Sequence, residues 1–547
     1  MAKSRSFAPP SVLPDISPAR GEIGSFGAAV SPATSKIGET GGDGAISPLE
    51  GEMSGWTEGG NVERRRGSFS HPRRFAGLLA PAFAAMATLS SSPAFAHASD
   101  RGHILLLPTG YYLGGGAAAV AASFLALALL PARALDRIAK ARLTVGTLPK
   151  RGRMLASLLS FACLAGLVYA GVFGSRDPLS NPLPLVVWTL FWIGLTIVHG
   201  LVGNLWAWLN PWYGPWRTIY RLTGREPDTP PLRLPEPVGY WPAIIQFLAF
   251  AWFELVYPAP DDPARLAAAV STYWAVNFIA MLVFGHAEWA RRGECLSAFL
   301  GMVSRFSIAA AEPVPGEDRT RLSLGWPGAK LRGAPRLPAS GALFLLLALS
   351  TVSFDGLSKT FFWLGLNDIN PLEYPGRSAV MALNSAGLLA AFAALSVLFF
   401  GAVLAGQRLA RGATPVREAA GLLVWSIVPI ALAYHFSHYL IAFAVNGQYA
   451  LVALSDPLGR GWDLFGTAGL HVAPGIVAGS ESARTIWNLQ AAAIIGGHVV
   501  AVLAAHMLAG RLHPTRGTTT ASQLPLTGLM VGYTLFGLWL LSTPTAG

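Results

Sequence analysis

Four histidines lie inside apolar stretches of the chain, where an ionisable side chain is costly. His435 and His438 lie within residues 422–444, and His498 and His506 lie within residues 491–508. Each stretch is long enough to cross a bilayer. Ionisable groups at that depth normally pair with one another, bind a ligand or line a wet cavity. These histidines are therefore candidates for a functional site.

The spacing of three of these histidines favours a shared metal site. His435 and His438 are three positions apart, which places them on one side of a helix, and His498 lies at a similar depth if the two helices pack together. Three neutral imidazoles from two helices suit Zn²⁺ or copper and leave a position open for water or substrate. The alternative is that each histidine bonds to a backbone carbonyl of a neighbouring helix. His506 is predicted to lie about two turns below His498, outside the site.

Two carboxylates are candidates to complete this chemistry. Glu254 lies in an apolar stretch about one turn from the end of a predicted span, and Asp355 ends another. Either one can serve as a further ligand, as a partner that orients a histidine, or as the general base that activates a water. The alternative, which is strongest for Asp355, is a helix-end carboxylate that simply reaches water.

Composition and charge indicate a membrane protein. Of the 547 residues, 52% are hydrophobic and 13% are charged, whereas a soluble protein carries about 25% charged residues. The net charge is +11, but nine Lys and Arg residues precede His97, 24 lie in alternate loops and seven lie elsewhere. This asymmetry is what the positive-inside rule describes. This distribution of charge argues against a nucleic-acid partner and indicates that the partner of the chain is the lipid bilayer.

The predicted fold is an all-α, polytopic bundle of ten membrane-spanning helices. Ten spans that begin and end outside the cytoplasm place every basic loop inside, which predicts a multi-pass protein of a bacterial inner membrane with both mature termini outside. The spans are predicted at residues 108–131, 155–173, 183–204, 240–258, 267–287, 340–355, 380–405, 420–445, 486–510 and 524–543.

The N-terminal part of the chain is predicted to lie outside this bundle. Residues 1–63 are polar and rich in Gly, Ser and Pro, which predicts a disordered leader or a start site upstream of the true one. Residues 64–96 combine a basic start, a short apolar run and small residues before His97, a pattern typical of a signal peptide. The transmembrane domain is then residues 97–547.

Two connecting segments have predictions of their own. Residues 294–310 are amphipathic and predict a helix that lies along the inner membrane surface. Residues 446–485 predict a long loop on the outer side.

Several motifs together resemble a bacterial family of polytopic membrane proteins named fenitrothion hydrolases. The resemblance covers the chain from about residue 96 to the last helix and rests on Asn210-Pro-Trp212, Ser350-Thr-Val-Ser-Phe-Asp-Gly356, Ala433-Tyr-His-Phe-Ser-His-Tyr439, Ser455-Asp-Pro with Gly461-Trp-Asp-Leu-Phe-Gly-Thr467, Gly497-His498, and the opening His97-Ala with Tyr111.

The resemblance implies hydrolysis of a small, apolar aryl ester of a phosphorothioate, and it suggests a second membrane subunit as a partner. A bound divalent metal could lower the pKa of its water to about 7 and polarise the phosphoryl group. In that hypothesis His435, His438 and His498 hold the metal, and Glu254 or Asp355 accepts the proton of the water. Substrate would enter sideways from the bilayer into a site open to the outside.

Other classes of function remain open at this point. His435 and His498 could be axial ligands of a haem, or one of them could bond to a quinone. Histidines near the outer surface could pass copper inward or to a partner. The chain could also be a transporter or an assembly factor whose histidines line a proton path.

Overall fold

The computed structural model describes residues 109–129, 141–149, 152–226, 229–317, 319–370, 376–473, 475 and 479–545. These residues belong to one folded unit. The predicted leader, the predicted signal peptide and His97 lie outside the described residues.

Ten helices in the described residues are long and apolar enough to cross a membrane, as predicted, and the fold is all-α apart from one small sheet. We label these helices α1 to α10 and refer to shorter helices by their residues. Their bounds are Thr109–Leu129, Arg153–Phe173, Pro182–Leu201, Trp241–Leu255, Pro263–Phe284, Ala339–Ser358, Met381–Leu409, Val416–Ser455, Ser480–Ala509 and Arg516–Ser542.

Two helices extend well beyond the predicted spans. Helix α8 continues to Ser455, where an outer loop was predicted, and α10 begins at Arg516 rather than at residue 524. The turns added to α10, residues 516–523, are polar, and those added to α8 begin with Asn446, Gly447 and Gln448, which interrupt its apolar run. The predicted spans therefore end at these polar residues. Their side chains nevertheless satisfy backbone groups, because Gln448 donates to the carbonyl of Ala444 and the Thr515 hydroxyl accepts from the amide of Thr518. The N-terminal cap and the side-chain bonds extend these helices past the apolar segment.

A three-stranded antiparallel sheet joins two connections that the sequence left as loops. Strands β1 (Arg142–Pro149), β2 (Ala309–Pro313) and β3 (Arg319–Gly325) pair in the order β1-β3-β2. The sheet therefore ties the α1–α2 connection to the α5–α6 connection. Because these strands precede α2 and α6 and follow α5, they mark one end of the bundle, which we call the sheet end.

The segment at residues 294–310 is buried in the protein, so the prediction of a helix on the membrane surface is wrong. A helix over Cys295–Val303 begins at Glu294, whose carboxylate accepts from the amides of Leu296 and Ser297. Phe299 packs against the rings of Trp192 and Phe247. The apolar side of this helix therefore contacts α3 and α4. A hydropathy pattern alone cannot distinguish a helix side that packs against protein from one that faces lipid.

Helices α6 and α8 form the centre of the bundle and are its most deeply buried spans. Glycines allow close packing around them. A Cβ on Gly421 would meet the carbonyl oxygen of Leu337 at 2.0 Å, and one on Gly497 of α9 would meet the Cβ of Ala433 at 2.5 Å. The two helices that carry Asp355 and His438 are thus held in fixed positions by neighbours on several sides.

Candidate functional site

Asp355 and His438 form a direct pair between α6 and α8. The imidazole Nε2 of His438 lies 2.6 Å from Oδ2 of Asp355. Asp355 is near the end of α6 that is remote from the sheet, and His438 is in the middle part of the long α8. Because a carboxylate can only accept a hydrogen bond, the imidazole of His438 donates through Nε2. In the neutral form of the ring the lone pair is then at Nδ1.

Tyr439 links this pair to Glu254. Its hydroxyl lies 2.8 Å from Oε1 of Glu254 and 3.2 Å from Oδ2 of Asp355. Lys359, one turn after Asp355, makes an ion pair of 2.7 Å with Oδ1. We call Glu254, Asp355, Lys359, His438 and Tyr439 the carboxylate cluster. It joins α4, α6 and α8 at the ends of α4 and α6 opposite the sheet.

The carboxylate cluster runs from an exposed group to a buried one. The side chain of Lys359 is 48% exposed, that of His438 is 25% exposed and that of Asp355 is 3% exposed. At the other end, Oε2 of Glu254 is buried without a hydrogen-bond partner among the described residues. Two carboxylates and one lysine leave a net negative charge unless the cluster holds a proton, and an uncompensated buried charge is costly. The cluster therefore has the composition of a site that binds and releases a proton.

His435 has a different partner. Its Nε2 lies 3.0 Å from the carbonyl oxygen of Trp192, which belongs to a π-helical part of α3, Leu185–Leu195. Such widened turns leave carbonyls accessible and are frequent at functional sites. The ring of Tyr439 lies edge-on between the two histidines, with centroids 4.9 Å from His435 and 4.7 Å from His438. The spacing of three positions brings both histidines to Tyr439 while they bond to separate helices.

His498 is enclosed by two tyrosines. Its Nδ1 lies 2.8 Å from the carbonyl of Ile494 in its own helix, and Nε2 is buried without a partner among the described residues. The rings of Tyr434 and Tyr533 flank it at 6.1 and 6.4 Å. Tyr434 donates to the carbonyl of Tyr533 at 2.6 Å. His498 thus occupies an environment distinct from that of His438. His506 is also buried, with Nδ1 unpartnered in the part of the chain that the structure describes.

The arrangement of these donors bears on the predicted metal site. Within the described ranges, no group of three or more His, Cys, Asp or Glu side chains is placed to hold a metal ion. His435 bonds to a backbone carbonyl of the neighbouring helix α3, which is the alternative that the sequence left open. His498 bonds to a carbonyl of its own helix, and His438 bonds to Asp355. The side chains therefore do not fit a three-histidine centre. Zinc or copper at His435, His438 and His498, and haem at His435 and His498, stay predictions.

Sequence reasoning identified Asp355, His438 and Glu254 but missed the residues that connect them. Lys359 could have been found, because an Asp and a Lys four positions apart share a helix face. Tyr439 directly follows His438, yet its role depends on the rotation of α8. Arg377, which donates to the carbonyl of Glu254 at 2.8 Å, lies in a connection far along the chain. No spacing rule relates it to α4.

Comparison of the chain with protein-family models, curated proteins and solved structures gives no match. Fold and site together define a class, a multi-pass helical membrane protein with a buried acid–base cluster.

Proposed function

We propose that this protein is a membrane hydrolase of small apolar aryl esters of phosphorus, with His438 as its general base. The observation that carries the proposal is the 2.6 Å contact between His438 and Asp355. A base held by a second group in one orientation is the arrangement that activates water or a nucleophile. The substrate class comes from the resemblance of the motifs to the fenitrothion hydrolases.

The reaction uses the free lone pair of His438. Nδ1 accepts a proton from a water molecule, the water oxygen forms a bond to phosphorus, and the phosphorus–oxygen bond to the aryl group breaks. The aryloxide leaves with the electron pair, and the proton on Nδ1 then passes to it to give the phenol. Asp355 stabilises the imidazolium that forms between these steps.

A Cβ added to Gly356 would lie 3.9 Å from Nδ1 of His438 and 3.4 Å from Cδ1 of Leu540, both ordinary contact distances. Glycine at this position therefore places no side chain next to Nδ1. Apolar aryl esters partition into the bilayer and would reach this depth without crossing water. Lys359 offers a cation to the developing charge on the phosphoryl group. Among the described residues its ion-pair partner is Asp355, and its side chain is 48% exposed.

The proposal is tested with a chromogenic aryl phosphorothioate and protein purified in detergent. We expect His438→Gln and Asp355→Asn to lower kcat by about two to four orders of magnitude. Tyr434→Phe is the matched control, since Tyr434 lies on the same helix and bonds to Tyr533 instead of the cluster. It should retain activity.

Folding of each variant is checked by its thermal unfolding temperature. Hydrolysis by the wild type that His438→Gln leaves unchanged in a folded protein would overturn His438 as the base. Absence of hydrolysis in the wild type would overturn the substrate class.

The direction of the site is part of the same proposal. The distribution of Lys and Arg favours the sheet end as cytoplasmic, which opens the carboxylate cluster to the outside of a bacterial inner membrane and places both mature termini there.

A second candidate function is proton-coupled transport. It is favoured by the chain of contacts from exposed Lys359 through Asp355 and Tyr439 to the buried Glu254. Carboxylates in such chains serve as proton relays in membrane pumps. Proteoliposomes with a trapped pH indicator would show proton movement that Glu254→Gln abolishes, and a flat signal from the wild type would exclude it.

A further inference from the structure

A second polar site lies at the sheet end, away from the carboxylate cluster. A cavity of about 450 Å³ opens there between the connections that follow α3 and α5 and the buried helix Cys295–Val303. None of the described residues that line it is an aspartate or a glutamate. Its polar and aromatic lining includes Arg153, Asn210, His286, Arg291, Arg305 and Trp425.

Arg305 contributes an uncompensated positive charge to this cavity. Its guanidinium lies over the ring of Trp425, 5.1 Å from the centroid, and it has no carboxylate partner among the described residues. Burial lowers the pKa of Arg305 below its ordinary value, so charge at this position is disfavoured by the surroundings. Arginine nevertheless stays protonated in proteins.

Arg153 adds a second such charge. Its Nε donates to the carbonyl of Ala207 at 2.8 Å, and its guanidinium stacks on the ring of Tyr213 at 3.8 Å. These contacts hold one edge of the guanidinium and leave the other edge free, since none of the described carboxylates pairs with it. Arg291, by contrast, is bonded to Glu288 at 2.7 Å. Of the three arginines that line the cavity, Arg153 and Arg305 thus have no carboxylate partner in the part of the chain that the structure describes.

His286 does not add to this charge at neutral pH. Burial and the nearby Arg153 lower its pKa to about 3, so the imidazole is neutral. Its Nε2 lies 3.2 Å from Oδ1 of Asn210, which also accepts from the amide of Tyr213. The neutral ring therefore donates to Asn210, and this hydrogen bond fixes two residues of the cavity lining relative to each other.

We propose that this cavity binds a phosphate-bearing anion, held by the guanidinium groups of Arg153 and Arg305. The proposal is independent of the hydrolase activity, which uses the opposite ends of α4 and α6. The same chemistry is presented by a soluble phosphate ester and by the headgroup of an anionic phospholipid.

The chemistry of the lining favours phosphate. Guanidinium presents a planar fork of donors that matches two phosphate oxygens, and each of the two guanidinium groups lies over an aromatic ring that limits its orientation. The volume lies within the range of small-ligand sites. Met302 and Leu337 supply an apolar wall next to the arginines, which suits a glycerol backbone or the start of an acyl chain.

Soluble ligands are tested by calorimetric titration of the full chain in detergent with inorganic phosphate and with sn-glycerol 3-phosphate. We expect saturable binding that Arg305→Gln weakens by about tenfold or more, whereas Arg305→Lys weakens it less because the charge remains. Arg225→Gln is the matched control, since Arg225 is exposed at the same end and does not line the cavity. It should bind as the wild type does.

The lipid source is tested by native mass spectrometry of protein from nanodiscs that contain equal amounts of phosphatidylglycerol and phosphatidylcholine. Retention of phosphatidylglycerol by the wild type and by Arg225→Gln, but not by folded Arg305→Gln, would identify a lipid headgroup. Saturable calorimetric binding without lipid retention would identify a soluble ester. If the wild type prefers neither probe over sulfate or neutral lipid, or if Arg305→Gln equals the wild type in both assays, the proposal is overturned.

Discussion

Asp355 is the residue on which the carboxylate cluster depends, because three side chains contact its carboxylate. Lys359 and His438 lie within 2.7 Å and Tyr439 within 3.2 Å. A buried carboxylate is stable when it has partners of this kind and costly when they are removed. The same contacts hold the imidazole of His438 in one orientation, so stability and chemistry are linked at this residue.

Tyr439→Phe tests the link between the two carboxylates. The change removes the donor to Oε1 of Glu254 and leaves that buried oxygen unsatisfied, which costs about 1–3 kcal/mol. We expect a lower unfolding temperature in detergent. Tyr257→Phe is the control, because the Tyr257 hydroxyl meets Arg265 in a more exposed position. Equal unfolding temperatures for the two variants would show that Tyr439 does not hold Glu254.

Metal content tests the prediction made from the histidine spacing. If His435, His438 and His498 form a centre, purified protein will contain about one equivalent of zinc or copper. His435→Ala and His498→Ala will then both lose it, and a chelator will abolish hydrolysis. Full activity after complete metal removal would contradict a metal-dependent reaction and would support His438, oriented by Asp355, as the base.

Helix packing determines which faces of α8 and α9 meet. A Cβ on Gly497 would lie 2.5 Å from the Cβ of Ala433 and 2.9 Å from the carbonyl of Pro429, whereas nothing lies within 4 Å of a Cβ on Gly496. Gly497→Ala should therefore force the helices apart and destabilise the protein by about 1–3 kcal/mol. Gly496→Ala should be neutral or slightly stabilising because alanine favours helix. Thermal unfolding of the pair measures the difference, and equal values would rule out close packing here.

The contact between the short helix Ala329–Gly333 and β2 predicts a dependence on pH. Lys330 donates to Ser307 and to the carbonyl of Ala309, and burial together with Arg142 and Arg305 lowers the pKa of Lys330 to about 8 from 10.5. The unfolded chain binds this proton more tightly than the folded protein does. Between about pH 8 and 10.5 the unfolded chain therefore carries more of the proton, and the stability of the folded protein rises with pH across this window.

The prediction is measured as the difference in unfolding temperature between the wild type and Lys330→Gln. That difference should become more favourable to the wild type as pH rises through this window. A constant difference would show that Lys330 titrates normally in the folded protein.

The elements themselves were largely predictable from sequence. Every spanning helix has an apolar segment whose length matches a bilayer, so all ten were found. The strands were not found, because β3 carries Arg319 and Arg321 and resembles a basic loop. Its pairing with β1 joins residues 170 or more positions apart, and no local pattern reports such a contact.

For the whole molecule, the orientation in the membrane is the property to measure. If the sheet end is cytoplasmic, Arg225→Cys will react with an impermeant maleimide in inside-out vesicles, and Arg460→Cys will react in intact cells. Both positions are exposed, whereas the native Cys295 is buried. Cys163→Ser serves as the common background, since Cys163 is exposed. Labelling of Arg225→Cys in intact cells and of Arg460→Cys in inside-out vesicles would show that the sheet end lies outside the cytoplasm.

The sequence by itself determined the class of the molecule, because apolar length, loop charge and the cost of buried ionisable groups are local properties. Those properties identified ten spans and directed attention to Glu254, Asp355 and His438. The tertiary structure decided which of these side chains meet. Contact depends on the rotation and neighbours of each helix, so Asp355 pairs with His438 while His435 and His498 bond to backbone carbonyls. The arginine-lined cavity is likewise a product of packing, because its lining comes from segments that are distant in the chain.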